Sequence, residues 1–445
     1  MTHPISPVPE KPTPAMPETF QGLGIADNIM ASLERMKFTK PSPIQHRCIP
    51  EGIEGKDLIG IAQTGTGKTL AFGIPMIQRL ARYKGHGLVL LPTRELALQV
   101  DESFQRIGGP IGLRTAVLIG GEPIGKQKRQ LFRNPHILIA TPGRLIDHLE
   151  QGSVKLETVK ILVLDEADRM LDMGFAPQIN KILLKVPKER QTMLFSATMP
   201  VDIVKIATHH MKLPVRIEVA PQGTAATDVE QEIMIVGRDQ KKSLLETLLK
   251  QYLGTILIFS RTKYGAKKIC HGLAASGHKA AEIHSNRSLA QRKEALEGFK
   301  RGKYRILVAT DIAARGIDVS NIEVVINFDL PDNTDDYVHR IGRTGRAGKK
   351  GRAISFATPQ ETDEIRRIER LIRKPLKVTR PTGLPATTPF ARVEEDRPYG
   401  HSSASRGSSQ GHRAPWKPSG NRGHSSSSSS SGGGWNRKPR SSKKW

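Results

Sequence analysis

Short apolar runs alternate with helical patterns along most of the chain, in two successive series. In the first series, the apolar runs predict strands at residues 57–62, 87–91, 137–140, 161–164 and 192–195. The segments between them carry apolar residues at helical spacing, as in residues 70–83. Because strands that alternate with helices are typical of βαβ units, this series predicts a parallel sheet.

A second series of the same kind follows a small, polar segment at residues 219–228 that contains Pro and Gly. Its predicted strands are residues 255–259, 279–283, 305–309, 323–328 and 353–357. The pattern therefore predicts an α/β protein with two tandem domains, each a mostly parallel sheet with helices on both faces. We expect the first domain at residues 18–218, a linker at 219–228 and the second domain at 229–378.

The two ends of the chain lack this pattern. Residues 1–17 are rich in Pro, and we expect them to form a disordered lead. Ser, Gly, Pro, Arg and Lys dominate residues 379–445, which buries too little apolar surface to offset the entropy of ordering. We therefore expect a disordered basic tail, which either binds a polyanion or only keeps the protein in solution. All three tryptophans lie in this tail: Trp416, Trp435 and Trp445.

The formal net charge of the 445-residue chain is +26. This charge favours a polyanionic partner, with nucleic acid as the first candidate and a generally basic soluble protein as the alternative. Cys48 and Cys270 lie far apart without CxxC spacing, which predicts neither a disulfide framework nor a zinc site. The sequence shows no signal-peptide pattern and no apolar run long enough to span a bilayer, so we expect a cytoplasmic protein.

A candidate phosphate-binding loop, AQTGTGKT, occupies residues 62–69. It follows a predicted strand and opens a predicted helix, as such a loop requires. Gly65 and Gly67 would let backbone amides approach the phosphates, Lys68 would neutralise the β- and γ-phosphates, and the Thr69 hydroxyl would hold Mg²⁺. The other residues expected to line the nucleotide are Ala62, Gln63, Thr64 and Thr66. Ala62 stands where Gly is usual, and the loop alone is typical of ATPases and GTPases alike.

An acidic box follows the predicted strand at residues 161–164. Functional groups of open α/β sheets lie at the carboxyl ends of strands, so Asp165 is a candidate for holding Mg²⁺ and Glu166 for activating the attacking water. The alternative is a helix N-terminus that carries acids without any function. The phosphate loop, about 100 residues earlier, favours the functional interpretation.

Residues 165–168 spell DEAD, and the chain resembles the DEAD-box ATP-dependent RNA helicases over roughly residues 18–378. The other motifs follow in the family's order: FTKPSPIQ at 38–45, PTRELA at 92–97, GG at 120–121, TPGR at 141–144, SAT at 196–198, then matches at 257–262, 291–292, 309–318 and HRIGRTGR at 339–346. Lys37 stands where the family often has Gly. The second domain is most similar in wording to the bacterial RhlE type.

The resemblance implies two tandem RecA-like domains and an ATP hydrolase with ATP and Mg²⁺ as cofactors. Gln45 would read the adenine edge, and Asp318 would contact the ribose. Phe20 and Phe38 would lie near the base, although core packing is the alternative for Phe38. Arg343 and Arg346 are three residues apart, so both could face the triphosphate.

The resemblance also implies an RNA site that joins the two domains. His339 would link this site to the nucleotide, and the residues expected to couple hydrolysis to unwinding are Asp168, Ser196 and Thr198. The expected RNA contacts, mostly to the backbone and therefore tolerant of sequence, are Arg94, Gly120, Gly121, Thr141, Arg144, Arg292 and Thr310.

Domain closure on ATP and RNA would bend one strand of a short duplex and release the other, or remodel an RNA–protein complex. Ribosomal precursors and RNA turnover are the expected settings. Two alternatives are a non-hydrolysing RNA clamp and a DNA-translocating helicase. The intact Glu166, Arg343 and Arg346 argue against the first, and the DEAD spelling argues against the second.

Overall fold

The structure, a computed structural model, describes residues 19–62, 65–219, 229–311, 322–345 and 350–381. These residues form two seven-stranded sheets. The predicted lead lies outside the described residues, as do residues 220–228 of the predicted linker and residues 382–445 of the predicted tail. No helix in the described part of the chain is long and apolar enough to cross a membrane.

The first sheet has the strand order β3-β4-β2-β5-β6-β1-β7, and its strands pair in parallel. Its strands are β1 (Leu58–Ile61), β2 (His86–Leu90), β3 (Thr115–Leu118), β4 (Ile137–Ala140), β5 (Val159–Leu164), β6 (Gln191–Ser196) and β7 (Val215–Glu218). Its helices are α1 (Asp27–Arg35), α2 (Pro43–Glu54), α3 (Lys68–Leu80), α4 (Arg94–Gly108), α5 (Ile124–Phe132), α6 (Pro142–Glu150), α7 (Ala167–Asp172), α8 (Ala176–Leu183) and α9 (Val201–His210), with a 3-10 turn at Gly109–Ile111.

The second sheet repeats this order with every strand number raised by seven, β10-β11-β9-β12-β13-β8-β14, again with parallel pairing. Its strands are β8 (Val229–Ile235), β9 (Ile256–Phe259), β10 (Ala280–Ile283), β11 (Ile306–Ala309), β12 (Val324–Asn327), β13 (Gly351–Ala357) and β14 (Lys377–Thr379). Its described helices are α10 (Lys241–Gln251), α11 (Lys263–Ala275), α12 (Leu289–Lys300), α13 (Thr334–Ile341) and α14 (Thr362–Ile372).

Both faces of each sheet are covered by helices. On β2, Val89 packs with residues of α1 to α4, whereas Leu88 and Leu90 pack with residues of α6 to α9. This alternation follows from the two-residue period of a strand. The second sheet likewise separates a core with α12 to α14 from a core with α10 and α11. The predicted fold class of two tandem parallel α/β domains is confirmed.

Four strands were not predicted: β3, β7, β8 and β14. Three of them are edge strands of only three or four residues, which gives a short apolar run at most. β7 and β14 are also partly exposed, whereas β3 is largely buried. Strand β8 reads VEQEIMI, and its polar first half hides a strand that pairs with both β13 and β14. The helix expected at residues 70–83 is α3, which begins earlier, at Lys68, and ends at Leu80.

Candidate nucleotide and RNA site

The loop between β1 and α3 lies at the carboxyl edge of the first sheet. Gly65 and Gly67 adopt left-handed conformations, with φ of 87° and 90°, which cost a side-chain-bearing residue free energy. A Cβ atom at Gly67 would also clash with the side chain of Gln45. Gln63 and Thr64 lie outside the described residues. The two glycines therefore keep this turn narrow and its backbone open to close approach.

Lys68, the first residue of α3, is buried, with 6% of its surface exposed. Its Nζ donates to the carbonyl oxygen of Ala62 at 3.0 Å. No carboxylate in the described part of the chain forms an ion pair with it, and the half-buried Thr69 follows it in the helix. The ammonium group thus lies over the loop and keeps hydrogen-bonding capacity for an anion.

Gln45 connects helix α2 to this loop. Its Oε1 accepts from the N–H of Ser42 at 2.9 Å, and its Nε2 donates to the carbonyl oxygen of Gly67 at 3.0 Å. Phe20 lies in the core of the first domain at 2% exposure, so it contributes to packing there. Phe38, by contrast, is 41% exposed, which disfavours the core-packing alternative for this ring.

The acidic box begins where β5 ends, and its acids are buried. Asp165 accepts the N–H of Glu166 through Oδ1 at 2.9 Å. Glu166 has a φ of 50°, a strained value for a residue with a side chain, and strain of this kind is frequent at functional sites. Its Oε2 accepts from Nη1 of Arg169 at 2.7 Å, and both side chains are almost fully buried.

The two leading carboxyls differ in their electrostatics. Burial raises the pKa of Asp165 to about 6, although Lys68 lies nearby and favours its charge. Burial acts in the same direction at Glu166, but nearby cations outweigh it and lower the pKa of Glu166. Those cations are, in order of effect, Arg169, Lys68 and Arg343. Glu166 therefore stays ionised at neutral pH, whereas Asp165 is the carboxyl that a cation would stabilise most.

Asp168 ties the acidic box to the end of β6. Its Oδ2 accepts from the backbone N–H groups of Ala197 and Thr198, at 3.0 and 2.9 Å, and from the Thr198 hydroxyl at 3.0 Å. Its own N–H donates to the Ser196 hydroxyl at 3.3 Å. Burial opposes its charge, but Lys68 and other cations outweigh burial and lower the pKa of Asp168. The structure thus brings together the three residues predicted to couple hydrolysis to unwinding.

Helix α13 of the second domain lies close to the acidic box. Its His339 is near Asp168 and Arg169, and burial followed by the charge of Arg169 lowers the pKa of this imidazole. Arg343 follows α13, is 2% exposed, and donates from Nε to the carbonyl oxygen of His339 at 3.1 Å. Asp318 and Arg346 lie outside the described residues.

A buried arginine supports this part of the second domain. Arg340 donates from Nε and Nη2 to the two carboxylate oxygens of Asp311, at 2.5 and 2.7 Å. Its Nη1 donates to the carbonyl oxygen of Asp329 at 2.6 Å. A bidentate contact of this kind fixes orientation as well as adding energy, so Arg340 holds the start of the HRIGRTGR segment against the sheet.

Several predicted RNA contacts gather at the carboxyl edge of the first sheet. The Arg94 guanidinium lies against Gly120 and Gly121, where a Cβ atom would press on it. Arg144 reaches the same loop, because its Nη1 donates to the carbonyl oxygen of Glu122 at 2.9 Å. Thr141 is buried at the start of α6. In the second domain, the half-buried Thr310 follows β11.

Arg292 is placed differently from the other predicted RNA contacts. Its Nη2 donates to Oε2 of Glu95 in the first domain at 2.9 Å, and both side chains are largely buried. Leu289, at the start of the same helix α12, packs into the core of the first domain. This end of α12 therefore joins the two domains. Nη2 of Arg292 is bound to Glu95, whereas its buried Nε has no hydrogen-bond partner among the described residues.

The sequence motifs predict no role for Glu95, Arg169 or Arg340. Arg169 lies three residues after Glu166, a spacing that brings side chains together on a helix, and this signal could have identified the pair. Arg340 stands within a motif whose other arginines were assigned to the nucleotide. No local signal distinguishes an arginine that supports its own domain from one that faces a ligand.

The residues around the phosphate loop offer few side chains that could bind Mg²⁺. In the described part of the chain, no three His, Cys, Asp or Glu residues form a cluster able to hold a metal. Mg²⁺ usually keeps several waters and binds one or two carboxylates together with substrate phosphates. A single buried carboxyl with a raised pKa, Asp165, beside a phosphate loop fits that pattern.

A phosphate loop, an acidic box and a basic second domain facing it define a phosphate-loop nucleoside triphosphatase with two α/β domains. The profile of the DEAD/DEAH box helicases matches residues 42–206, and that of the helicase conserved C-terminal domain matches residues 239–348. The chain is similar to the ATP-dependent rRNA helicase RRP3 of Debaryomyces hansenii, with 44% identity over 81% of this chain and 76% of that protein.

Two further comparisons agree. The DEAD-box ATP-dependent RNA helicase CshA of Geobacillus kaustophilus is 44% identical over 82% of this chain and 79% of that protein. The structure of S. cerevisiae Dbp5 bound to RNA and ADP BeF3 matches with a TM-score of 0.74 and 30% identity, over 82% of this chain and 95% of that one. The chain belongs to the DEAD-box ATP-dependent RNA helicases, which are ATP-hydrolysing enzymes that act on RNA.

Proposed function

We propose that this helicase couples RNA-stimulated ATP hydrolysis and closure of its two domains to local unwinding of short RNA duplexes or remodelling of RNA–protein complexes. The observation that carries the proposal is the proximity of Arg343 to the acidic box, close enough to lower the pKa of Glu166. The buried Glu95–Arg292 pair adds a second contact between the domains. Because the site is formed by residues of both domains, it is complete only when the domains are close together. Opening and closing of the domains can therefore control hydrolysis.

In this proposal the first domain binds and orients the nucleotide. Lys68 contacts the β- and γ-phosphates, Gln45 reads adenine, and Thr69 and Asp165 hold Mg²⁺, which would offset phosphate charge. Glu166 accepts a proton from the attacking water or orients it, and its lowered pKa keeps it ionised for that task. Arg343 and Arg346 stabilise the charge that develops on the transferred phosphoryl group.

RNA is held mainly through its backbone, so recognition is tolerant of sequence. Arg94 and Arg144, together with the amides of Gly120 and Gly121, are suited to phosphate oxygens. Closure bends the bound strand, and its partner strand dissociates. Hydrolysis and phosphate release then reopen the cleft, with the Asp168–Thr198 contact passing the change from the acidic box to the RNA-binding edge.

The decisive experiment is the Glu166→Gln substitution. The variant should retain ATP and RNA but lose RNA-stimulated hydrolysis, because the neutral amide cannot accept a proton. ATPase rates and equilibrium nucleotide binding should be measured beside Glu102→Gln, an exposed glutamate of α4. Turnover equal to that of this control would contradict the role of Glu166. Absence of RNA-stimulated turnover in the unmodified protein would instead favour an RNA clamp that needs no hydrolysis.

We also propose that the natural substrates are structured RNAs such as ribosomal precursors. The support is the rRNA helicase name carried by a relative with 44% identity. Crosslinking the protein to its RNA in cells, followed by sequencing, tests this proposal. ATPase stimulation by single-stranded DNA as strong as by RNA of the same sequence would instead favour the DNA-helicase alternative.

We further propose domain limits at residues 18–218 and 229–378. We also propose a relationship to the RhlE type and a cytoplasmic location. The end of β7 at Glu218 and the start of β8 at Val229 support the domain limits. Limited proteolysis with identification of the stable fragments would test them.

A further inference from the structure

A cleft of about 780 Å³ opens at the amino edge of the first sheet, opposite the phosphate loop. It lies where β5 and β6 begin and where α3 ends. Helix α3 has 13 residues, so its length separates this cleft from the phosphate loop by about 20 Å. The function proposed above does not use this surface.

The cleft is predominantly basic. Six of its lining residues are cationic and two are acidic: Lys56, Arg79, Lys84, Lys160, Arg190 and Lys212 against Asp57 and Glu189. The Asp57 carboxylate is occupied by the backbone N–H groups of Thr192 and Lys212. Glu189 forms an ion pair with Lys212.

Two of these lysines remain available for a ligand. Lys84 and Lys160 are exposed, and neither forms an ion pair with another described residue. Lys56, by contrast, is paired with Glu51 and Glu54 outside the cleft. The available positive charge therefore lies on the side of the cleft formed by Lys84 and Lys160.

An exposed aromatic ring adjoins these lysines. Tyr83 is 54% exposed, and the guanidinium of Arg79 covers one of its faces at 5.1 Å from the ring centroid. Arg79 is itself held in place, because its Nη1 donates to the carbonyl oxygen of Ile53 at 3.1 Å. The ring is therefore supported from behind and leaves its other face open.

We propose that this cleft is a second binding surface for single-stranded RNA, separate from the site at the carboxyl edge of the sheet. An open aromatic face takes a base by stacking, whatever its identity, and flanking lysines take the adjoining phosphates. An acidic peptide would use the lysines but gain nothing from the open ring face. The cleft holds a distal segment of a long RNA whose other part occupies the catalytic site.

The test uses the full chain and two uridine oligomers, one of about 6 nucleotides and one of about 40. At about 3.4 Å per stacked nucleotide, the short oligomer is used up by the catalytic site, and only the longer one can reach both surfaces. The variant Lys84→Glu/Lys160→Glu is compared with Lys181→Glu/Lys185→Glu, which makes the same charge change on the first domain outside the cleft. The cleft variant should bind the long RNA on the order of tenfold more weakly than the control, and with a smaller salt slope. ATPase stimulated by saturating short RNA should match the control.

A second pair of variants probes stacking. Tyr83→Ala should weaken long-RNA binding about fivefold or more, and Tyr83→Phe should preserve it, because stacking needs the ring and not the hydroxyl. Thermal unfolding checks that each variant is folded.

Long-RNA affinity equal to that of the control variant would overturn the proposal. Equal losses for short and long RNA would overturn it too, because a separate surface must discriminate by length. Unchanged RNA binding with lost binding to polyglutamate would show that the cleft docks an acidic protein segment instead. None of these results would contradict the role proposed for Glu166, because ATPase activity stimulated by the short RNA measures that role separately.

Discussion

Helices α3 and α10 occupy equivalent places in the two sheets, and each begins with a buried lysine. In the first domain, the ammonium group of Lys68 bonds to a backbone carbonyl and faces a glycine-rich turn. In the second domain, Nζ of Lys241 donates to Oδ1 of Asp329 at 2.9 Å and to the carbonyl oxygen of Phe328 at 2.7 Å. Lys68 forms no ion pair with another described residue, whereas Lys241 is paired with an acid of its own domain.

The acids beside the two lysines show the same contrast. Burial raises the pKa of Asp165 to about 6. Burial also acts on Asp329, but Lys241 outweighs it, and the pKa of Asp329 is lowered. The same strand order thus holds one buried acid with a raised pKa and one with a lowered pKa. Ligand sites often keep a buried charge that costs stability, whereas structural sites pair their charges.

Exchanging each lysine for alanine should separate these two roles most strongly. Lys68→Ala should weaken ATP binding and abolish turnover, because the ammonium group of Lys68 is the one proposed to contact the phosphates. Lys241→Ala should destabilise the second domain but leave the turnover of folded molecules largely intact. ATPase assays and denaturation curves on both variants give the measurement. A folded Lys241→Ala variant without turnover would break the comparison.

The second domain should act on catalysis through its arginines instead. Arg346→Ala should reduce turnover on the order of 10³-fold with ATP affinity nearly unchanged, as for an arginine finger. The control is Arg301→Ala, which alters an exposed arginine of the same domain. Weakened binding with normal turnover at saturating ATP would exclude a transition-state role.

The two acids should differ in the sign of their effect on stability. Asp165→Asn should stabilise the nucleotide-free protein by about 3 kcal/mol near pH 8, because a raised pKa means that the folded state disfavours the charge. Asp329→Asn should destabilise it by about 2 kcal/mol, because Lys241 loses its partner. Urea denaturation without Mg²⁺ measures both free energies of unfolding.

The pH dependence follows from the same shifts. The stability gained by Asp165→Asn should shrink as the pH falls from about 6 towards the pKa of the unfolded chain. Over this range the wild-type carboxyl takes up a proton in the folded state, so the buried charge that the substitution removes is no longer present. The contribution of Asp329 to stability is fully present above the pKa of the unfolded chain. It is lost as the pH falls towards the lower pKa that Asp329 has in the folded state. Changes of the same sign in both variants would refute the electrostatic contrast.

The smallest expected effect concerns backbone strain, in which the two domains are alike. Lys37 and Arg373 each follow a helix in a left-handed conformation, with φ of 60° and 52°. Replacing either by Gly should stabilise the protein by up to about 1 kcal/mol, because Gly adopts this conformation without steric cost. Thermal unfolding and ATPase assays measure the effect. A higher melting temperature in both variants with unchanged ATPase rates would show that the two domains differ in their charged sites and not in this backbone strain.

The sequence predicted those features that depend on residue types close together in the chain. The fold class and the buried central strands followed from apolar runs, and the phosphate loop and acidic box from short motifs. The contacts of Arg292 did not follow, because its partner Glu95 is 197 residues away and no local pattern encodes that pairing. The pairing of Lys241 with Asp329 spans 88 residues and was missed for the same reason.

The repeated strand order has a consequence for how such a protein arises. Two sheets with the same seven-strand order are the expected record of an ancestral gene that was copied and joined end to end. In the first domain the lysine lies over a glycine-rich turn, and in the second the equivalent lysine is bound to an internal acid. In the proposed mechanism, the second domain supplies arginines to the nucleotide site of the first. By this account neither domain is a complete enzyme alone, and the shared site is inherited only when both domains are inherited together.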